Sequence, residues 1–205
     1  MPRPQRNPVA RKDLARKRCQ TKLAMKRPAK KLCLVTMVRN ESRIIHRMLN
    51  SAKPAVDMVY ILDTHSSDNT VELSEQWIRE SGLPGKVEVE PFVNFGVSRT
   101  RSLKGAQQAF PEADYFLLLD ADMLLEVDEG FDKRLLFEDK YLMIQYNPTL
   151  SYHNLRILKN GPNYLCKGST HEYWCTLDGS DRTIGTLNTI RIDDQNDGGC
   201  TNTHG

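Results

Sequence analysis

Two carboxylates one residue apart, Asp120 and Asp122, close the apolar run Tyr115-Phe116-Leu117-Leu118-Leu119, and apolar Met123 and Leu124 follow at once. Carboxylates in so greasy a setting cost free energy unless something positive lies between them. A divalent cation carrying a diphosphate meets that need. Hard oxygen ligands suit Mg2+ and Mn2+, and such an ion stabilises charge developing on a departing phosphate. In a strand, side chains at i and i+2 share a face, and a turn just after Asp120 still lets both acids converge on one ion. The alternative is a turn carrying two solvated acids.

Other groups could join that chemistry. Asp63 ends a second apolar run, Met58 to Leu62. A carboxylate there can accept a hydrogen bond from a uracil N3–H or a ribose hydroxyl, or it can close a turn. Arg99 and Arg101 follow Gly96 at a helix start, where an arginine can pair with a phosphate or stack on a base, or stay solvated. His171 is a competent third ligand for Mn2+ as neutral imidazole. Glu172 could take the proton from an attacking hydroxyl or orient His171. Tyr173 and Trp174 could pack on a sugar face or belong to the core. Asp68 and Asn69 read as helix caps.

The elements that must position these groups alternate. Leu32 to Val38, Met58 to Leu62, Val87 to Phe92 and Tyr115 to Leu119 read as strands. Between them, Glu41 to Ala52 carries Ile44, Ile45, Met48 and Leu49 at helical spacing. Asn69 and Glu72 form a capping pair for a second helix, ended by Gly82 and Pro84. Val97, Leu103, Ala106 and Phe110 mark a third, stopped by Pro111. This order predicts an α/β fold, a mostly parallel sheet with helices on both faces. Such a sheet sets its ligands at the C-terminal ends of the strands. After Asp122 the pattern changes, and strands at Tyr141 to Tyr146 and Leu155 to Leu158 predict a mixed C-terminal extension.

Composition bounds the rest. Residues 1–31 hold twelve Lys or Arg against one acid, Asp13, while the remaining 174 residues hold seventeen basic and twenty-five acidic ones. The net charge of +3 therefore belongs to a basic, proline-bearing tail, expected to lack a packed core. Its positive charge could contact nucleic acid, an anionic membrane or an acidic partner, or serve only as a solvated extension. The tail holds no aromatic stacking platform. The cysteines number five, with no Cys-x-x-Cys pair, which reads as reduced thiols in a cytoplasmic, soluble protein. No apolar run approaches the roughly 20 residues of a spanning helix.

Taken in order, the motifs resemble family 2 glycosyltransferases of the GT-A (Rossmann-like) fold. The residues that carry the likeness are Asn40-Glu41, Asp63-Thr64-His65-Ser66-Ser67-Asp68-Asn69-Thr70, the aromatic segment from Phe92 to Arg99, Asp120-Ala121-Asp122 and His171-Glu172. Any one is a weak signal; five in sequence order are strong. The resemblance implies an inverting, metal-dependent transfer from a nucleotide diphosphate sugar, UDP-glucose or a relative, to an acceptor hydroxyl on a glycan, protein or lipid. It implies Thr36, Glu41 and Asp63 at the nucleoside, Arg99 at phosphate, and Asp120 at the ribose or a metal-bound water. Asp122 and His171 would hold Mn2+ or Mg2+, with Asp120 as a further ligand, and Glu172 would be the base. It also implies a domain over residues 32–205 that the family continues into another helix beyond Gly205. The closing loop Asp193-Asp194-Gln195-Asn196-Asp197-Gly198-Gly199 departs from the family pattern, because Asp194 or Asn196 stands near the place of its usual His. Two rivals remain at this point. A nucleotidyltransferase on a related fold would want a glycine-rich loop after the first strand, and this chain has none there. A nucleic-acid-binding protein would act through the tail.

Overall fold

The apolar run after the basic tail forms β1 (Leu32–Val38), buried along nearly its whole length. A strand enclosed on both faces reads as continuous leucine and valine without alternation. The same holds for β2 (Met58–Asp63), buried at every residue, and β4 (Tyr115–Leu118). The computed structural model describes residues 27–168, 172–180 and 182–198. The basic tail expected over residues 1–31 thus falls almost wholly outside the described residues.

The chain divides into two units. The first comprises residues 1–30 and 132–137. Among its described residues, a 3-10 turn at Lys133–Leu135 is capped by Asp132, whose carboxylate accepts the Arg134 backbone N–H at 2.9 Å.

The second unit, residues 31–131 with 138–205, carries an eight-stranded sheet in the order β3-β2-β1-β4-β7-β6-β10-β5. Here β3 is Gly85–Val89, β5 Met123–Val127, β6 Lys140–Tyr146, β7 Ser151–Lys159 and β10 Ile184–Asp194. The pairs β2–β3, β1–β2 and β1–β4 are parallel, as is β6–β10. The pairs β4–β7, β6–β7 and β5–β10 are antiparallel. The fold is therefore α/β, parallel over the first half of the chain and mixed over the second. A separate hairpin joins β8 (Tyr164–Lys167) to β9 (Tyr173–Thr176).

Three helices flank the parallel strands. α1 (Ile45–Ala52) buries Ile45, Met48, Leu49 and Ala52. α2 is Thr70–Ser81 and α3 is Phe95–Ala109. Leu103 and Ala106 of α3 pack on Cys33, Val35, Tyr60, Phe116 and Leu118 in one cluster. α1 and α2 pack against each other and outside that cluster, so helices lie on both faces.

Three expectations need correction. The first helix starts at Ile45, not Glu41, because residues 42–44 form a turn closed by the Glu41 carbonyl, which accepts Ile44 N–H and Ile45 N–H. Asn69 makes no side-chain cap on α2; the Asp68 carboxylate takes the Thr70 N–H at 3.1 Å instead. Strand β3 ends at Val89, leaving residues 90–94 as a loop that reaches α3. There Asn94 caps α3 by accepting the Val97 N–H at 2.9 Å.

Candidate functional site

β1 is flanked by β2 on one side and β4 on the other, all parallel, so their C-terminal ends open onto one edge. That is the switch point at which open α/β sheets form a ligand crevice. The loops after β1 and β2 are tied together there. Asn40, at a φ of 57°, presents its Oδ1 to the Ser67 N–H at 2.7 Å, and its own N–H donates to Ser66 Oγ at 2.8 Å. The Glu41 N–H donates to Thr70 Oγ1 at 2.8 Å, and the Ser42 N–H to Asp68 at 3.2 Å. Most of the polar residues in these two motifs satisfy one another. Asp63 belongs to the same scaffold: its carboxylate accepts both the N–H and the hydroxyl of Ser66, and it is 1% exposed.

After β4 the chain turns sharply, with the Met123 N–H donating to the Asp120 carbonyl at 3.1 Å. The turn brings Asp120 and Asp122 onto one crevice of about 370 Å³. Arg39, Glu41 and Thr64 line it from β1 and β2; Phe92, Phe95 and Arg99 line it from the α3 side. Phe92 and Phe95 meet edge to face with centroids 5.3 Å apart.

The two acids have opposite electrostatics. Asp120 Oδ1 lies 2.6 Å from Arg99 Nη1, and Oδ2 lies 3.4 Å from Arg156 Nη1. Burial alone would push this carboxyl up; the charges of Arg99 and Arg156 outweigh it and hold it down to about 2. Among the described residues, Asp122 has no such partner. Burial raises its pKa, and the negative charges of Asp120 and Asp194 raise it further. Negative potential gathered at hard oxygen donors is what a divalent cation relieves. The Asp122 side of the crevice therefore fits Mg2+ or Mn2+ better than Asp120 does. Among the described residues, no group of three or more His, Cys, Asp or Glu is placed to hold a metal by itself.

The end of β10 and the loop after it also line the crevice, through Asp194, Asn196 and Gly198. The Gln195 N–H donates to the Asp122 carbonyl at 3.0 Å. Arg47 of α1 grips Asp197 with two hydrogen bonds of 2.6 and 2.9 Å. A Cβ on Gly198 would sit 3.0 Å from Asp122 Oδ2, so only glycine allows this approach without displacing the carboxylate.

A second pocket of about 210 Å³ adjoins the crevice, with Arg99 and Met37 lining both. It is lined also by Asn154, Arg156, Glu172, Tyr173 and Trp174.

Residues 33–136, just over half of the chain, match the profile described as "Glycosyl transferase family 2". The chain belongs to that family. An uncharacterized glycosyltransferase of Rickettsia felis is 29% identical over 132 residues, covering 60% of this chain and 41% of the relative. Another, of Rickettsia bellii, is 28% identical over 133 residues, covering 61% and 40%. The chain thus spans about two-fifths of the length of the curated relatives it matches. Among solved structures, S. aureus TarS 1-349 in complex with UDP shares 23% identity at a TM-score of 0.45, covering 58% of this chain and 36% of that one.

In this member of the family the crevice gathers Glu41, Arg99, Asp120 and Asp122 of the residues singled out from sequence. Glu172 lies on the adjoining pocket, beyond the part of the chain that matches the family. Thr36, 2% exposed, and Asp63 lie behind the crevice lining, and the Thr36 hydroxyl has no hydrogen-bond partner among the described residues. His171 lies outside the described residues. Arg101 pairs with Glu90 at 3.5 Å on the half-exposed side of α3.

Arg39, Arg156 and Gln145 escape a reading of the sequence. Arg156 does carry a signal, because a lone arginine inside Leu155-Arg156-Ile157-Leu158 needs a buried acid somewhere.

Proposed function

We propose that this glycosyltransferase moves a sugar from a nucleoside diphosphate donor to an acceptor hydroxyl, by single displacement with inversion. The observation that carries the reading is the family match over a segment whose Asp120 and Asp122 reach one crevice at the strand switch point. The nucleoside enters between Glu41, Thr64 and the Phe92–Phe95 pair, and the diphosphate meets Arg39 and Arg99. Asp120 aims Arg99 and acts at the ribose. Bound at Asp122, with His171 and Asp120 as further candidate ligands, a Mg2+ or Mn2+ ion would neutralise charge on the departing diphosphate.

The acceptor occupies the adjoining pocket, with sugar-like faces against Tyr173 and Trp174. There its hydroxyl oxygen forms the new bond to the anomeric carbon as the bond to phosphate breaks on the opposite face. Glu172 takes the hydroxyl proton. UDP-linked sugars are the first donors to try. The nucleoside end of the crevice offers the Thr64 side chain and the Phe92–Phe95 pair, while the Asp63 carboxylate is held by Ser66 behind them. The test is UDP release from UDP-glucose and its relatives with Mn2+ present. Asp122→Asn should abolish it in a folded protein, and near wild-type turnover in that variant would contradict the assignment.

The charge asymmetry favours a separate role for residues 1–31 as a basic tail ahead of a catalytic domain at 32–205, contacting an acidic partner. Deleting residues 1–31 should remove salt-sensitive polyanion binding and leave sugar-nucleotide turnover in place.

A further inference from the structure

Gln145 in β6 is 2% exposed and Arg156 in β7 is 8% exposed. Neither lines the donor crevice. Yet the two connect both sides of it. Three donors converge on Gln145 Oε1: Asn154 Nδ2 at 2.9 Å, Arg156 Nη2 at 2.7 Å and Arg156 Nε at 3.1 Å. That convergence fixes the amide orientation, because a flipped side chain would set its NH2 against three N–H donors. Gln145 Nε2 is thereby committed to donate, and it does so to Asp194 Oδ2 at 2.7 Å. At the other end Arg156 Nη1 reaches Asp120 Oδ2 at 3.4 Å. A single polar chain, buried at Arg156 and Gln145, therefore runs Arg99–Asp120–Arg156–Gln145–Asp194.

Asp194 ends β10 and leads into the closing loop. Its Oδ1 accepts the Asn196 N–H at 3.2 Å, and the next residue, Gln195, bonds the Asp122 carbonyl. We propose that Gln145 and Arg156 are positioning residues that set the closing loop against Asp122 and, through Asp120, fix that loop and Arg99 as one unit. The polar chain gives a reason for two costly polar side chains between strands otherwise filled with Met143, Ile157 and Leu158. It also gives the loop an anchor in the sheet, opposite the Arg47–Asp197 anchor on α1. The inference rests on the donor-crevice reading for its functional consequence, but not for its structural one.

Gln145→Glu keeps the shape and reverses one donor. The ionised carboxylate then at position 145 would face Asp194 at hydrogen-bond distance, like charge to like charge, and draw Arg156 away from Asp120. Two measurements test the proposal. Hydrogen exchange without nucleotide should quicken at least tenfold over residues 195–198, with β1, β2 and β4 still protected. Calorimetric titration with UDP and Mn2+ should show a Kd raised about tenfold or more, in a variant whose thermal midpoint confirms folding. If Gln145→Glu does not fold, Asp194→Ala removes the loop end of the chain from outside the core and should quicken the same exchange. Unchanged loop exchange in a folded variant overturns the proposal. So does a lowered midpoint with an unchanged UDP Kd, since that is a purely structural role. Failure of the wild-type protein to bind any nucleotide would strike the donor-crevice reading instead, while the exchange result still decides whether the loop is anchored here.

Discussion

Arg99 and Asp120 sit 2.6 Å apart, the arginine from the second turn of α3 and the acid from the turn after β4. The pair ties the helix that follows the aromatic segment to the acid motif. It also separates the two acids: Asp120 is neutralised by Arg99 and Arg156, whereas Asp122 has no such cation beside it among the described residues.

Asp120→Asn should destabilise the protein. It strips the counter-charge from two arginines whose side chains are 22% and 10% exposed. Breaking a buried pair from one side typically costs about 3–5 kcal/mol, and the residual exposure here points to the lower end. Urea unfolding at pH 7 measures it.

The same pair sets an acid limit. The Asp120 pKa falls from 3.8 to about 2 on folding. A depressed carboxyl contributes stability that is fully present above its unfolded pKa and is lost as pH falls through the folded one. The stability gap between wild type and Asp120→Asn should therefore narrow between about pH 4 and pH 2. A gap independent of pH would mean the ion pair is not what Asp120 contributes.

Asp122→Asn should do the reverse. Its pKa is raised on folding by burial and by Asp120 and Asp194. The ionised form is thus penalised in the folded state, a penalty absent at low pH and complete above the folded pKa. At neutral pH without metal the amide should raise the melting temperature, and Mn2+ should stabilise the wild type but not the variant. Scanning calorimetry with and without Mn2+ gives both answers.

Gly198→Ala places a methyl group 3.0 Å from Asp122 Oδ2. The carboxylate must shift by a few tenths of an ångström. Small misplacements at reacting groups cost about 10–100-fold, so turnover should fall by that order. Stability should change by about 1 kcal/mol, because Gly198 is buried but the atom its methyl group meets is the end of a side chain. Arg47→Ala should likewise cost little stability, since the pair it breaks is 36% and 40% exposed.

The parallel half of the fold is legible because each of its strands β1, β2 and β4 is a continuous apolar run, and each intervening helix repeats its buried residues at helical spacing. Asp120 and Asp122 are legible for the same reason, standing where an apolar run breaks. The second half is legible only in part: β6 and the end of β7 show in the sequence, but β5 and β10 do not, and the partners of all four are set by long-range pairing. Asp63 is a different case. From sequence its carboxylate could meet a nucleoside or close a turn, and the structure shows the second, with Ser66 folded back onto it. Side-chain bonds across a turn depend on backbone angles that composition does not reveal. Gln145 carries no local signal at all, because its importance lies in Asn154, Arg156 and Asp194, each on another strand.

The most direct measurement is a calorimetric titration of UDP into the protein with Mn2+ and again with a chelator, repeated on Asp122→Asn. Binding at Asp122 through a cation predicts a UDP affinity in the wild type that drops at least tenfold in chelator, and no metal effect in the variant. Equal affinity in all four titrations would show that the crevice takes the nucleotide without a cation at Asp122, and would contradict the mechanism proposed for it.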